Sequence, residues 1–298
     1  MKKRSLAVLM TGVMAASMMT GVVSVYADAD SKTLTVGFDA EYPPFGYKDD
    51  NGEYVGFDLD LAQEVCDNLG WELVKKPINW DSKDMELNSG SIDCIWNGFT
   101  MNGREDDYTF SEPYVDNSQV IVVAENSGID KLTDLAGKTV GVQAASAALD
   151  ALNSDDNKDL TASFASLTEN PDYNTAFMNL DSGAADAIAV DIGVAKYQLS
   201  QREEGKYVIL DEPIQSEEYG IGFKKGNDEL KDTVWEEVLK LYDAGEVDKL
   251  AEKYEVADML CIGDDEKSDD KKDDAAEDDA SDADTAKEDT ADTAKDAE

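Results

Sequence analysis

Between residues 33 and 254, short apolar runs of strand type alternate with amphipathic helical patterns. The run TLTVGF at residues 33–38 alternates apolar and polar side chains, as a half-buried strand does. Residues 57–69 then carry apolar side chains at helical spacing and end at Gly70. Later strand patterns lie at residues 71–74, 92–96, 119–123, 138–143, 185–190, 208–210 and 219–223. Strands that alternate with helices favour an α/β fold with mostly parallel sheets and helices on both faces.

The two ends of the chain differ in composition from this body. Residues 1–27 begin with three cations, continue as an uncharged apolar run and close on small residues, which predicts a signal peptide cleaved after Ala27. The alternative is an uncleaved membrane anchor, which Thr, Gly and Ser within the run disfavour. Residues 264–298 hold 17 acidic residues and 5 Lys, with no aliphatic residue larger than Ala. We predict that they form a disordered acidic tail.

Composition narrows the classes of function. The net charge of −41 argues against nucleic acid as a partner. The chain has no histidine, which excludes a histidine general base and imidazole ligands for a metal. Cys66, Cys94 and Cys261 are too few and too scattered for a metal cluster, so we expect no metal and no cofactor. We expect Cys66 and Cys94 to be core residues; whether Cys66 pairs with Cys261 stays open. No cysteine lies near the cleavage site, so no lipid-attachment cysteine is evident.

Five segments occur in an order that is typical of one protein family. They are VGFDAEYPPFGYKDDNGEYVGFDLDLAQEV (36–65), SGSIDCIWNGFT (89–100) with Arg104 and FSEPY (110–114), DLAGKTVGVQAASAALD (134–150), GAADAIAVD (183–191) and YGIGFKKGNDELKDTV (219–234). Together they resemble the periplasmic polar-amino-acid binding proteins of ABC importers, which form family 3 of the extracellular solute-binding proteins. The resemblance covers residues 34–254, nearly all of the body.

The resemblance implies the two-lobed periplasmic-binding-protein-like fold of type II. Residues 33–114 plus 218–261 would form the first lobe, which is therefore discontinuous, and residues 115–217 would form the second. Two hinge strands, near residues 115–120 and 214–219, would join the lobes. A ligand would lie in the cleft between them.

The resemblance also implies how the cleft would hold the carboxylate of a free amino acid. Arg104 would pair with it, because a planar guanidinium can bind two oxygens at once, and Thr100 would offer a hydroxyl and an N–H beside it. The alternative for Arg104 is a surface side chain paired with Glu105 or Asp106. Ser146, at the start of a helix, would complete the clamp, although it could serve only as the helix cap.

The ammonium group of the ligand would be held by Asp191 and by the carbonyl of Gly98. Asp191 follows an apolar strand, where a carboxylate faces a cleft rather than a core. As an alternative, Asp191 could cap the helix that follows it. Gly98 lacks a side chain, so its carbonyl can approach a ligand closely.

The ligand side chain would lie between Tyr42 and Trp80, whose flat faces can cover an apolar stem or accept a cation; a core role is the alternative for both. At the distal end, Asp39, Asn97 and Gln143 would contact the ligand or narrow the pocket. These groups favour a neutral polar, basic or cystine-like amino acid over an acidic one.

The predicted function is therefore capture of a free amino acid rather than catalysis, with closure of the lobes around the ligand. The expected partners are the amino acid and the membrane permease of an ABC importer, and we expect an exported monomer in the periplasm or at the cell surface. There are two alternatives. One is an enzyme on the same scaffold (a dehydratase or a lytic transglycosylase), which would need a cleft acid such as Asp39 or Glu41 with a raised pKa. The other is a sensor input domain.

Overall fold

A computed structural model describes residues 32–263. The predicted signal peptide (1–27) and acidic tail (264–298) lie outside these residues and stay predictions. The strands are β1 (Thr33–Phe38), β2 (Glu41–Tyr42), β3 (Gly46–Lys48), β4 (Tyr54–Val55), β5 (Glu72–Pro77), β6 (Cys94–Ile95), β7 (Tyr108–Phe110), β8 (Val115–Ala124), β9 (Thr139–Gln143), β10 (Ser166–Asn170), β11 (Ala187–Asp191), β12 (Tyr207–Ile209), β13 (Gln215–Tyr219) and β14 (Gly222–Lys224). The α-helices are α1 (Phe57–Leu69), α2 (Lys83–Asn88), α3 (Ala147–Asn153), α4 (Lys158–Ser163), α5 (Tyr173–Ser182), α6 (Ile192–Ser200), α7 (Asp228–Asp243) and α8 (Glu246–Lys253).

The first large sheet has the strand order β5-β1-β6-β14-β7. Strand β1 lies in its interior and pairs parallel with β5 and β6. Its side chains Leu34, Val36 and Phe38 are fully buried, as the alternating pattern predicted. Strand β14 returns antiparallel between β6 and β7. Helix α1 covers this sheet with α7 and α8, and it ends at Gly70 in the left-handed conformation.

The second large sheet has the order β10-β9-β11-β8-β12, and β13 also pairs with β8. Strands β10, β9 and β11 are parallel. Strand β8 is antiparallel to β11, and residues 207–219 return along its other edge as β12 and then β13. No helix separates β12 from β13, and both strands run antiparallel to β8. Both sheets are therefore mixed, which corrects the expectation of mostly parallel sheets.

The predicted hinge segments fall in β8 and β13, which pair with each other from Gln215 opposite Gln119 to Tyr219 opposite Val115. The chain passes from β7 in the first sheet to β8 in the second, and it returns from β13 to β14. Two crossings thus connect the sheets side by side. The lobe boundaries at residues 114/115 and 217/218 and the hinge role of these strands stay predictions.

Most of the predicted elements are present, with shifted ends. The expected strand at 219–223 is divided: β13 ends at Tyr219 and β14 begins at Gly222. The expected helix at 80–87 is a 3₁₀ turn, Trp80–Ser82, followed by α2. Cys66 and Cys94 are buried, as predicted. Over residues 32–263, no helix has the length and apolar character needed to cross a membrane.

Candidate functional site

One cavity collects side chains from both large sheets and their loops. Its volume is about 10 Å³, which is room for about one water molecule. The cavity is lined by Tyr42, Trp80, Gly98, Thr100, Arg104, Gln143, Ser146, Ala147 and Asp191. Every lining residue except Ala147 was predicted from the sequence. An amino acid therefore needs the two sides of this cavity to move apart before it can enter.

Arg104 lines the cavity and pairs with a carboxylate on α3 beside it. Its Nη2 lies 2.7 Å from Asp150 Oδ2 on α3, and its Nη1 donates to the carbonyl of Thr100 at 3.4 Å. Its guanidinium lies 5.2 Å from the centre of the Phe99 ring. The alternative of an ion pair with Glu105 or Asp106 is wrong in this structure, because the partner of Arg104 is Asp150. A guanidinium that is 13% exposed and faces a cavity can still receive a second carboxylate.

Asp191 is a buried carboxylate held by neutral donors. Its Oδ1 accepts hydrogen bonds from Asn117 Nδ2 (2.9 Å), Gln119 Nε2 (2.6 Å) and Tyr219 Oη (2.7 Å), and its Oδ2 accepts one from Tyr173 Oη (3.2 Å). It precedes α6 but makes no capping hydrogen bond. The alternative of a helix cap is therefore not realised, and the carboxylate is free of that role at the cavity wall.

Ser146 is the cap of α3. Its hydroxyl accepts from the N–H of Leu149 at 3.2 Å and donates to the carbonyl of Gln143 at 2.8 Å. The capping reading is thus confirmed, and Ser146 also lines the cavity. The hydroxyl of Thr100 donates to Glu217 Oε1 at 2.8 Å, so its hydrogen points away from the cavity.

Gly98 lies where the backbone passes between two aromatic rings. Its φ is +55°, and a Cβ added there would lie 2.9 Å from Tyr42 Cε1 and 2.9 Å from Tyr219 Cε2. Its N–H donates to Asp58 Oδ2 at 2.5 Å. Burial raises the pKa of Asp58 to about 7, while the hydrogen bonds from Gly98 and Tyr114 act in the opposite direction. Only glycine fits this position without strain.

The two predicted aromatic walls are both at the cavity. The Tyr42 hydroxyl lies 3.1 Å from the Tyr219 hydroxyl. The centre of the Tyr42 ring lies 5.9 Å from the centre of the Tyr173 ring. Trp80 is half-buried and packs edge-on against Phe99, with ring centres 5.7 Å apart. Trp80 therefore has core contacts as well as a face on the cavity. Its role in sandwiching a ligand stays a prediction.

The predicted distal group is arranged around Asp39. Its Oδ2 accepts from Gln143 Nε2 at 2.6 Å, and its backbone N–H donates to Asn97 Oδ1 at 2.9 Å. Burial raises the pKa of Asp39 to about 6, although hydrogen bonds from Glu41 and Gln143 lower it. Of these residues only Gln143 lines the cavity; Asp39 lies behind it, and Asn97 supports the loop of Asp39.

Several residues that hold the site were not predicted. They are Asp58, Asn117, Gln119, Tyr173, Glu217 and Tyr219. The sequence did contain a signal for two of them: in β8 the side chains of Val115, Asn117 and Gln119 share one face, and polar residues at buried positions of a strand indicate a buried polar network. Within the described part of the chain, no cluster of three or more Cys, Asp or Glu could hold a metal ion.

Comparison with known proteins identifies the family of the chain. Residues 34–257 match the bacterial extracellular solute-binding proteins, family 3. The chain is 30% identical over 259 residues to the L-cystine-binding protein TcyJ of Escherichia coli K12 (83% of this chain, 95% of that one). It is also 30% identical over 231 residues to the arginine-binding extracellular protein ArtP of Bacillus subtilis (76% of this chain, 88% of that one).

A solved structure extends the likeness to the fold. The substrate-binding protein of an ABC uptake transporter from Streptococcus pneumoniae, with bound histidine, superposes with a TM-score of 0.72 at 30% identity (74% of this chain, 92% of that one). The chain therefore belongs to family 3 of the bacterial extracellular solute-binding proteins. The predicted two-lobed α/β fold of type II is confirmed.

Proposed function

We propose that this protein captures a free polar, basic or cystine-like L-amino acid in the cavity and delivers it to the membrane permease of an ABC importer. The observation that carries the proposal is the pairing of opposite charges on one small cavity. Arg104 lines one side and the buried Asp191 another. A free amino acid carries the complementary pair of charges, and each needs a partner once water is excluded.

Arg104 and the backbone N–H of Thr100 would bind the ligand carboxylate, with Ser146 beside them. Asp191 and the carbonyl of Gly98 would bind the ammonium group. Asp191 already accepts four hydrogen bonds from neutral groups. These bonds fix its orientation but add no positive charge, so the cation of a ligand would be its counter-ion.

The ligand side chain would extend between Tyr42 and Trp80 towards Gln143 and Asp39. With a pKa of about 6, Asp39 carries a negative charge at neutral pH. This charge favours a cationic or neutral polar end and disfavours glutamate and aspartate. The names of TcyJ and ArtP refer to cystine and arginine, in accord with this preference.

Binding would proceed by closure, because the lining residues come from both sheets. Arg104 and Asp150 already span the two sides, as does the hydrogen bond of 3.2 Å from Lys83 Nζ to the carbonyl of Ala145. We propose that the closed protein, exported to the periplasm or cell surface as a monomer, is the form that the permease recognises. Catalysis on the same scaffold is the alternative; conversion of a bound amino acid to product would establish it.

Isothermal titration calorimetry against the common amino acids, ornithine and cystine tests this proposal. The wild-type protein should bind at least one neutral polar, basic or cystine-like ligand with one-to-one stoichiometry. Binding of glutamate or aspartate alone would contradict the proposed preference.

An arginine pair gives a matched control for the site. Arg104→Ala should weaken binding by about 2–5 kcal/mol, or roughly 30-fold to several thousand-fold, because the ligand carboxylate loses its charged partner. Arg202 also contacts a Phe ring (4.6 Å to the Phe177 centre) and an acid (3.5 Å to Asp181). Because Arg202 lies outside the cavity, Arg202→Ala should leave affinity unchanged. Equal affinity in both variants would refute the assignment of Arg104.

A further inference from the structure

Glu217 is a buried acid directly behind the cavity. It lies in β13 and is 4% exposed. Its Oε1 accepts hydrogen bonds from Thr100 Oγ1 (2.8 Å), Asn117 Nδ2 (2.7 Å) and Gln119 Nε2 (2.7 Å). All three donors are neutral. An ionised Glu217 therefore has no positive charge among its hydrogen-bond partners.

Glu217 and Asp191 share their donors. The same nitrogens, Asn117 Nδ2 and Gln119 Nε2, also donate to Asp191 Oδ1 at 2.9 and 2.6 Å. Three buried oxygens on these residues lack a hydrogen-bond partner in the described chain: Glu217 Oε2, Asn117 Oδ1 and Gln119 Oε1. The cluster thus has more acceptors than donors, and one added proton would reduce that imbalance.

Other titratable groups face Glu217 from the neighbouring elements. Asp191 approaches from the end of β11, Tyr173 from α5 and Tyr219 from β13 itself. Arg104 and Asp150 line an adjoining cavity together with Glu217, and these two are paired with each other. Burial, and to a smaller extent the charge of Asp191, raise the pKa of Glu217 to about 7 against the lowering effect of the hydrogen bonds from Gln119, Thr100 and Asn117.

The proposed ligand would change the charge balance around this acid. The ligand carboxylate would lie at Arg104 and beside Thr100, so it and an ionised Glu217 would face each other across the single hydroxyl of Thr100. The ligand ammonium at Asp191 would act in the opposite direction, and we expect the carboxylate to dominate because Thr100 links it directly to Glu217. Because a buried unpaired charge is costly, such a group takes up a proton instead.

Thr100 links this proton to the ligand. A hydroxyl has a single hydrogen, and that of Thr100 is directed at Glu217. Towards the cavity its oxygen can therefore only accept a hydrogen bond, which does not suit a carboxylate. If Glu217 carries a proton, it can donate to Thr100 Oγ1, and the hydroxyl hydrogen can rotate towards the ligand.

We propose that Glu217 is a positioning residue that takes up one proton from solvent when an amino acid is captured, and that this turns the Thr100 hydroxyl into a donor for the ligand carboxylate. The inference rests on the proposed function. It predicts that affinity falls as pH rises above 7, by up to tenfold per pH unit for full uptake of one proton.

Calorimetry with L-arginine and L-glutamine at pH 8, in phosphate and in Tris, tests the inference. The two buffers differ in ionisation enthalpy, so the difference in heat counts the protons bound. At this pH Asp39 is already ionised and does not contribute. The wild-type protein should take up more than half a proton per ligand. Glu217→Gln, which is permanently neutral, should take up none and should lose the pH dependence of its affinity.

The neighbouring Glu218 provides the matched control, since it lies on the same strand but is exposed. Glu218→Gln should behave as the wild type. Equal proton uptake in wild type and Glu217→Gln would overturn the inference. Binding by the wild type without any proton uptake would also overturn it, and this outcome can be measured even if Glu217→Gln fails to fold. Failure of the wild type to bind any amino acid would instead overturn the proposed function.

Discussion

Gly98→Ala should destabilise the protein for two separable reasons. The left-handed backbone conformation costs an alanine roughly 1–2 kcal/mol. The new Cβ would also lie 2.9 Å from carbons of both Tyr42 and Tyr219, closer than non-bonded carbons approach. The two rings are buried, and their hydroxyls lie 3.1 Å apart, so neither can withdraw freely. Overpacking of this kind costs about 1–3 kcal/mol, which gives a total loss of about 2–5 kcal/mol.

Substitution of Gly90 by alanine measures the conformational cost of the backbone without the steric clash. Its φ is +75°, but a Cβ added there would meet no atom within 4 Å. Gly90→Ala should therefore lose only the conformational cost. The free energy of unfolding of both variants can be measured by urea denaturation. We expect Gly98→Ala to be less stable than Gly90→Ala by about 1–3 kcal/mol. Agreement of the two values to within about 0.5 kcal/mol would refute the argument that Gly98 is required by close packing.

Two further predictions concern charge. Asp150→Asn removes the ion pair with Arg104 that joins the two sides of the site and would support closure. Because the Asp150 side chain is 66% exposed, the pair is weak, so amino-acid affinity should fall by no more than about fivefold, and the effect should vanish in 1 M salt. Tighter binding in calorimetry would contradict this. The pKa values of Asp39 (about 6) and Asp58 (about 7) are raised above those of the unfolded chain, so the stability they contribute is complete below pH 4 and is lost as pH rises to 7. The melting temperature of the wild type should therefore fall from pH 5 to pH 8, and that of Asp58→Asn should fall by less. A rise in the melting temperature of the wild type over this interval would contradict the raised pKa values of the two carboxyl groups.

The sequence was informative about the cavity because its lining residues follow strand or helix signals. Asp191 follows an apolar strand, Ser146 starts a helix, and Gly98 and Thr100 follow the strand before Arg104. In an α/β fold such positions converge on one edge of a sheet. The family resemblance then related these positions to a common ligand, and the structure brings all of them to one cavity.

The residues behind the cavity could not be found in the same way. Glu217 lies in the segment QSEEY, and an acidic residue in such a strand is normally predicted to be exposed. It is buried because β13 pairs with β8, about a hundred residues earlier in the chain, and brings it against Asn117 and Gln119. The mixed direction of the sheets was missed for a related reason. Local patterns show where strands lie but not which distant strand pairs with them.

A crystal structure of the protein with the amino acid that binds it most tightly tests the central claim most directly. The account predicts that the ligand carboxylate lies within about 3 Å of the Arg104 guanidinium and the ligand ammonium within about 3 Å of Asp191. The side chain should run between Tyr42 and Trp80. A ligand held elsewhere, or one whose carboxylate and ammonium contact neither Arg104 nor Asp191, would contradict it.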